Sequence, residues 1–222
     1  MIRAPWAAAV LAVTACGVPR VSGSSPQAQA NSPPGRVTAD STSPTLIPPG
    51  LGTLKQEDIA IVLQPNGVRV TAIPLDESII RVLAPDSYRS LHATLESRRP
   101  QIAQRASNHG IRDPGVWYVS FVGLTPDARF VPTDMTVTSG GRDYRPFDVI
   151  ALTPGFGEHR VQPRDTQRGL LLFDDGIDAS QPMVVAMAAE RNLEWSNDRS
   201  DAILSKIEAE RAQIRARAGG RP

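Results

Sequence analysis

The chain has 222 residues and one cysteine, Cys16. With a single thiol it cannot close a disulfide on itself, and a cysteine-ligated zinc site needs thiolates it does not have. Lysine is nearly absent too. Lys55 and Lys206 are the only two, so almost all of the 24 cations are arginine. These arginines are scattered along the chain, which reads as a coding bias, with a phosphate-binding surface as the alternative. Neither charge dominates: 24 basic against 23 acidic residues leave a formal net charge of +1. A nucleic-acid binder usually carries a strong basic excess, so that class is disfavoured. The three histidines, His92, His109 and His159, do not follow the spacing of a zinc motif. There is no Gly-x-Ser-x-Gly elbow, no His-Glu-x-x-His and no phosphate loop. An active site, if present, has to be assembled from distant residues.

What is present starts at the N-terminus. Arg3 gives a short basic start, and residues 5–13 are small and apolar. Val13, Thr14, Ala15 and Cys16 then resemble a lipobox, in which small residues precede the cysteine that is lipidated after cleavage. The apolar run is shorter than the roughly 20 residues a spanning helix needs. A plain secretion signal would leave Cys16 as an odd thiol in an oxidising compartment. A core segment would not be followed by a long polar, proline-rich stretch. Residues 1–15 are therefore expected to be a lipoprotein signal peptide, with palmitate-type acylation at Cys16 and anchorage in the cell envelope. Several acyl chains, at about 0.8 kcal/mol per buried methylene, anchor durably. Gly17 in place of an aspartate after the cysteine favours the outer membrane where the host has two membranes.

Residues 17–52 are low in charge and rich in Ser, Pro, Ala, Gln and Gly. Such a stretch buries too little apolar surface to offset its ordering entropy. It reads as a disordered tether, long enough as a flexible coil to hold a domain about 30 Å from the lipid.

The folded part is expected over 53–195. Ile59, Ile61 and Leu63 alternate, as do Val68, Val70 and Ala72, with Pro65, Asn66 and Gly67 as turn chemistry between them, which predicts a hairpin. A helical section over about 76–110 follows. Asp76 can cap a short helix, and Tyr88, Leu91, Leu95, Ile102 and Ala106 form a stripe at helical spacing. Pro100 should kink or restart that helix, and Asn108, His109 and Gly110 should end it. Strand periodicity returns from Val116, predicting a central strand over 116–122, then strands over 129–138, 144–152, 169–173 and 183–187. The turn at Asp174, Asp175 and Gly176 reads as joining the last two. Short strands with frequent Gly and Pro turns favour a sandwich.

The segment about 116–187 resembles a family of small immunoglobulin-like domains found in secreted and lipid-anchored bacterial proteins, known for immunogenicity or left without a function. The resemblance lies in a strand over 130–137, in Gly141, Tyr144 and Pro146 as a turn leading into a strand, and in Pro163, Gly169 and Phe173 as the closing turn and strand. It implies a mainly β, immunoglobulin-like antiparallel sandwich in which 76–110 is an insertion. It implies a binding or scaffolding domain outside the cytoplasm, and it carries no catalytic residues.

The C-terminal part, 196–222, is expected as a separate helix. Leu204, Ile207, Arg211 and Ile214 fall at seam spacing. That stripe either docks on the domain itself or, through Leu204, Ile207 and Ile214, enters a partner's groove. Glu158 and His159 sit in a glycine-bearing loop and are the candidates for acid–base chemistry in an envelope-associated hydrolase, against the simpler reading of a solvated turn. Asp174, Asp175 and Asp178 flank Gly176 in a pattern that could hold calcium, but without the long loop and closing glutamate of an EF-hand, and they read as a solvated turn. No metal and no cofactor is expected. The sequence thus points to a lipid-anchored envelope protein that binds or scaffolds another envelope component, with that hydrolase as the alternative.

Overall fold

The computed structural model describes residues 47–219; the Cys16 box and residues 17–46 of the expected tether lie outside them. From the start, the chain forms α1 (Gln56–Ile59), β1 (Ile61–Leu63), β2 (Val68–Pro74), α2 (Glu77–Ile80), α3 (Pro85–Asn108), β3 (Gly115–Gly123) and β4 (Ala128–Arg129). It continues through β5 (Thr136–Ser139), β6 (Arg142–Tyr144), β7 (Asp148–Ala151), β8 (Arg160–Val161), β9 (Thr166–Phe173), β10 (Met183–Met187), β11 (Glu190–Asn192) and α4 (Ile203–Gly219). Two antiparallel sheets, β1-β2-β3-β9-β7 and β11-β10-β5-β6, form a sandwich, and β4 pairs with β8 beside them. The fold is mainly β with a helical insertion and a C-terminal helix.

The β1–β2 hairpin forms where Asn-Gly chemistry predicts it. Asn66 takes φ 48° and Gly67 φ 75°, and Leu63 pairs with Val70. Along β3, Trp117, Val119 and Phe121 are buried while Val116, Tyr118 and Ser120 are half-buried. This alternation separates the two faces of the large sheet. The buried set meets Val137, Met183 and Val185 of the small sheet in one core. Phe121 stacks on Phe130 at 4.1 Å, and Phe156 meets both edge-on. Gly169 leaves room for that ring, since a Cβ there would lie 2.6 Å from the Phe156 ring tip.

Helix α3 covers the other face. Leu91, Ile102 and Ala106 are buried, with Tyr88 and Leu95 packed beside them, as the stripe predicts. The sheet face carrying Leu170, Leu172, Ile73 and Ile150 is buried as well. The helix does not restart at Pro100, and α3 runs through it as one element. Pro100 is exposed, so the carbonyl deprived of its N–H partner can turn to water. Asp76 caps α2 by accepting from the Ser78 amide at 2.8 Å, and Gly110 at φ 72° ends α3.

At its end α3 is pinned to the sheet edge. Arg105 donates to Asp148 of β7 at 2.6 Å, and the Val149 amide donates to the same oxygen at 2.7 Å. Desolvation pushes the Asp148 carboxyl up, but the bonds from Arg105 and Val149 and the nearby charges of Arg105 and His109 outweigh it, so Asp148 titrates below the ordinary aspartate range. A depressed carboxylate contributes stability above the unfolded pKa, about 3.9, and loses it as pH falls through the folded value. Asp148→Asn is therefore expected to cost about 1 kcal/mol at neutral pH, discounted for partial exposure. Urea unfolding of both proteins should show the difference shrinking towards about pH 3; a constant difference would mean that packing is responsible.

Four expectations are corrected. The strand over 129–138, which includes the 130–137 strand of the family resemblance, is broken by a 3-10 turn at Pro132–Asp134, because proline cannot supply a ladder donor. The strand over 144–152 is also two strands, β6 in the small sheet and β7 in the large one, and Pro146 lies where the chain crosses. The turn at Asp174–Gly176 is no hairpin, because β9 and β10 belong to different sheets. The C-terminal helix is not separate: Ile203, Leu204 and Ile207 are in the core, and Ile214 packs against it. Leu204, Ile207 and Ile214, the candidate partner anchors, are thus taken up by the domain's own apolar surface, the self-docking alternative. Glu210, only 3 % exposed, accepts from the Thr53 amide and hydroxyl, each at 3.0 Å, and from Arg217 at 2.9 Å. Among the described residues no helix is long and apolar enough to cross a membrane.

Candidate functional site

Two depressions open along α3, one on either side of its buried stripe. The first is a cleft of about 690 Å³. Leu95 and Ile102 of α3, with Val116 of β3, give it an apolar floor. Its rim carries Asp76, Glu77, Asp113, Asp174, Asp175 and Asp178, against only Arg99 and Arg112. Arg99 is already paired with Glu96 on its own helix.

These carboxylates do not form a cation cage. Asp178 accepts from the Ser180 hydroxyl at 2.6 Å and the Ser180 amide at 2.9 Å, and these bonds hold its carboxyl below the ordinary aspartate range. Asp174 accepts from the Asp175 amide at 2.9 Å, and Asp76 caps α2. The calcium pattern noted at Asp174, Asp175 and Asp178 is therefore turn chemistry. No group of three or more acidic, histidine or cysteine side chains suited to a metal occurs among the described residues.

At the head of the cleft, Glu77 organises a small cluster that the sequence did not reveal. Tyr88 donates its hydroxyl to Glu77 at 2.8 Å, and Arg81 donates its Nε to the same oxygen at 2.8 Å. His92 stacks on Tyr88 with ring centres 5.2 Å apart and sets Nδ1 3.5 Å from the other Glu77 oxygen. Burial and the bond to Glu77 push the Tyr88 phenol above its ordinary range. The one available signal was Glu77 and Arg81 at i,i+4 spacing. The cluster ties α2 to α3 and fixes one wall of the cleft.

The second depression, about 560 Å³, lies on the other flank, between α3 and the face of the large sheet. It contains Arg98 of α3 and Arg168 of β9, with Tyr118 of β3 between those elements, and no carboxylate lines it. Burial raises the Tyr118 phenol, while the charge of Arg168 pulls it down. Scattered arginines thus become a local positive field once the strands are in register.

The hydrolase candidates Glu158 and His159 line a depression of their own, about 480 Å³, with Arg129, Phe130 and Arg160, but they do not form an acid–base pair in it. Glu158 and His159 are both exposed, and no hydrogen bond joins them among the described residues. His159 sits in the left-handed region at φ 55° and lends its backbone carbonyl to the Phe130 amide at 3.1 Å. An acid–base pair needs mutual reach and orientation, and this loop supplies a turn. His109, the third histidine, packs against Phe147 at 4.9 Å.

Neither a protein-family model, nor a curated protein, nor a solved structure matches the chain.

Proposed function

We propose that the protein is a lipid-anchored cell-envelope module that binds or braces another envelope component through the surfaces beside α3. The anchor follows from the Val13–Ala15 residues ahead of Cys16. The binding role is supported by one observation: both flanks of α3 open into depressions of opposite electrostatic character. Strands β2 and β3 pair directly, from Val68 with Gly123 to Pro74 with Trp117, so a tight turn would suffice to join them. The chain instead makes a helical excursion whose stripe covers the sheet and whose sides shape two recesses. Concave surfaces with a few placed polar groups are the usual form of a ligand site.

The experiment has two readouts. Palmitate labelling should be abolished by Cys16→Ser, with release of the protein from the membrane fraction; labelling that survives the substitution removes the anchor. Photo-crosslinkers placed at Thr94 and Ala103, on the two sides of α3, should capture a discrete envelope component in intact cells. The same probe at Thr138, on the outer face of the small sheet, should not. Equal capture at all three positions would remove the assignment of the α3 surfaces.

A further inference from the structure

We propose that the groove holding Arg98 and Arg168 binds a phosphorylated saccharide, the two guanidinium groups taking the phosphate and the α3 hydroxyls facing the sugar. This rests on the reading of the α3 flanks as binding surfaces and is independent of the lipid anchor.

The charge argument comes first. Chain-wide, cations and anions nearly cancel at 24 and 23. Six of the described arginines are ion-paired with carboxylates, among them Arg81, Arg89, Arg99 and Arg105. Arg98 and Arg168, like several others, pair with none among the described residues; what sets these two apart is that they share one groove with no carboxylate in its lining. Guanidinium is a rigid fork that matches the oxygens of phosphate and carboxylate. A carboxylate offers two oxygens and one charge. A phosphate monoester carries about −1.5 to −2 and three acceptor oxygens, which is what two unpaired guanidinium groups can meet together.

Hydrogen bonding supplies the second half. Thr94 donates its hydroxyl to the Ser90 carbonyl at 2.9 Å, and Ser97 donates to the Thr94 carbonyl at 2.9 Å. Thr153, across the groove, donates to Gln167 at 2.6 Å and accepts from the Arg168 amide at 3.0 Å, which leaves it one lone pair. A hydroxyl whose proton is engaged still offers lone pairs. The groove therefore presents cationic donors from Arg98 and Arg168 and neutral acceptors from these hydroxyls. A ligand with an anionic end and hydroxyl donors along its body satisfies both. The volume, about 560 Å³, lies in the range of small-molecule sites, roughly 300–1,000 Å³.

Register explains why the groove is built this way. Arg168 pairs with Ser120, and Ser120 pairs with Thr71. This row of the sheet's outer face is polar, whereas the row through Leu170, Tyr118 and Ile73 carries the cover of α3. The groove lies at the border between the two.

The test is calorimetric titration of the full-length protein in detergent with glucose 6-phosphate, inorganic phosphate, glucose and glycerol 1-phosphate, the headgroup chemistry of phosphatidylglycerol. Glucose 6-phosphate should bind saturably, inorganic phosphate more weakly, and glucose not at all. Arg98→Gln and Arg168→Gln should each weaken glucose 6-phosphate about ten- to a hundredfold, while Arg191→Gln, on the small sheet, leaves it unchanged. Thr94→Val should weaken glucose 6-phosphate but not inorganic phosphate, which separates contact with the sugar from contact with the phosphate. Absence of saturable binding, equal loss in Arg191→Gln, or glycerol 1-phosphate binding as tightly as glucose 6-phosphate would overturn the proposal. If these fail while crosslinks from the α3 flanks persist, the binding-module reading stands and the phosphosaccharide falls.

Discussion

A chain truncated after residue 199 is expected to lose its cooperative unfolding transition. Ile203, Leu204 and Ile207 are all within 4 % of complete burial. Truncating one such side chain to alanine costs about 2–5 kcal/mol, and a domain has only about 5–15 kcal/mol in total. Removing three at once, with their backbone, uncovers the floor on which they pack. The loss reaches the other end of the fold as well, because Glu210 holds the Thr53 amide and hydroxyl. Near-ultraviolet circular dichroism and a thermal melt decide the matter. A truncated chain that melts as sharply as the parent would show that α4 is an appendage, and its stripe would again be free to meet a partner.

Trp195→Ala should be the most damaging single substitution outside α4. The indole is fully buried and donates Nε1–H to the Ala179 carbonyl at 3.0 Å. Its own carbonyl accepts from the Met183 amide at 3.0 Å, at the start of β10. Loss of a buried tryptophan costs about 3–5 kcal/mol, and the Ala179 carbonyl is left without that donor. For a domain of this size the midpoint should fall by roughly 6–20 °C. Leu193, two residues away, is 66 % exposed, so Leu193→Ala should stay within about 0.5 kcal/mol of the parent. Equal effects at the two positions in differential scanning calorimetry would contradict the packing described.

These neighbours illustrate what a sequence discloses. Local chemistry with one structural outcome was legible. Asn66 and Gly67 accept positive φ and turn a hairpin, and the spacing of Leu91, Leu95, Ile102 and Ala106 fixes the buried side of a helix. Chemistry with two outcomes was not. An Asp-Gly turn closes a hairpin or carries the chain between sheets, and only the pairing partners of β9 and β10 distinguish them. Periodicity in α4 shows that a stripe needs cover without saying whose surface provides it. The groove was hidden for a further reason. Arg98 and Arg168 are far apart in the chain, and no local pattern singles them out among so many arginines. They share a site because α3 lies across a sheet whose register points Arg168 outward. The acidic cleft is similar, with its carboxylates drawn from three separate stretches of chain.

The entry of the chain into the domain has a mechanical consequence. The Gly52 amide donates to the Arg81 carbonyl at 2.8 Å, the Leu54 amide to Val82 at 3.1 Å, and the Ala84 amide back to Leu54 at 2.8 Å, with Leu54 and Leu83 bridged in parallel. The approach is so close that a Cβ on Gly52 would lie 1.8 Å from the Val82 carbonyl oxygen. Tension along the direction of residues 52–54 runs parallel to this seam. It loads the three bonds together in shear, with the Thr53–Glu210 contacts beside them, where a perpendicular pull would peel them apart singly. A domain held by its N-terminal side can in this way meet traction first at a short stitched seam.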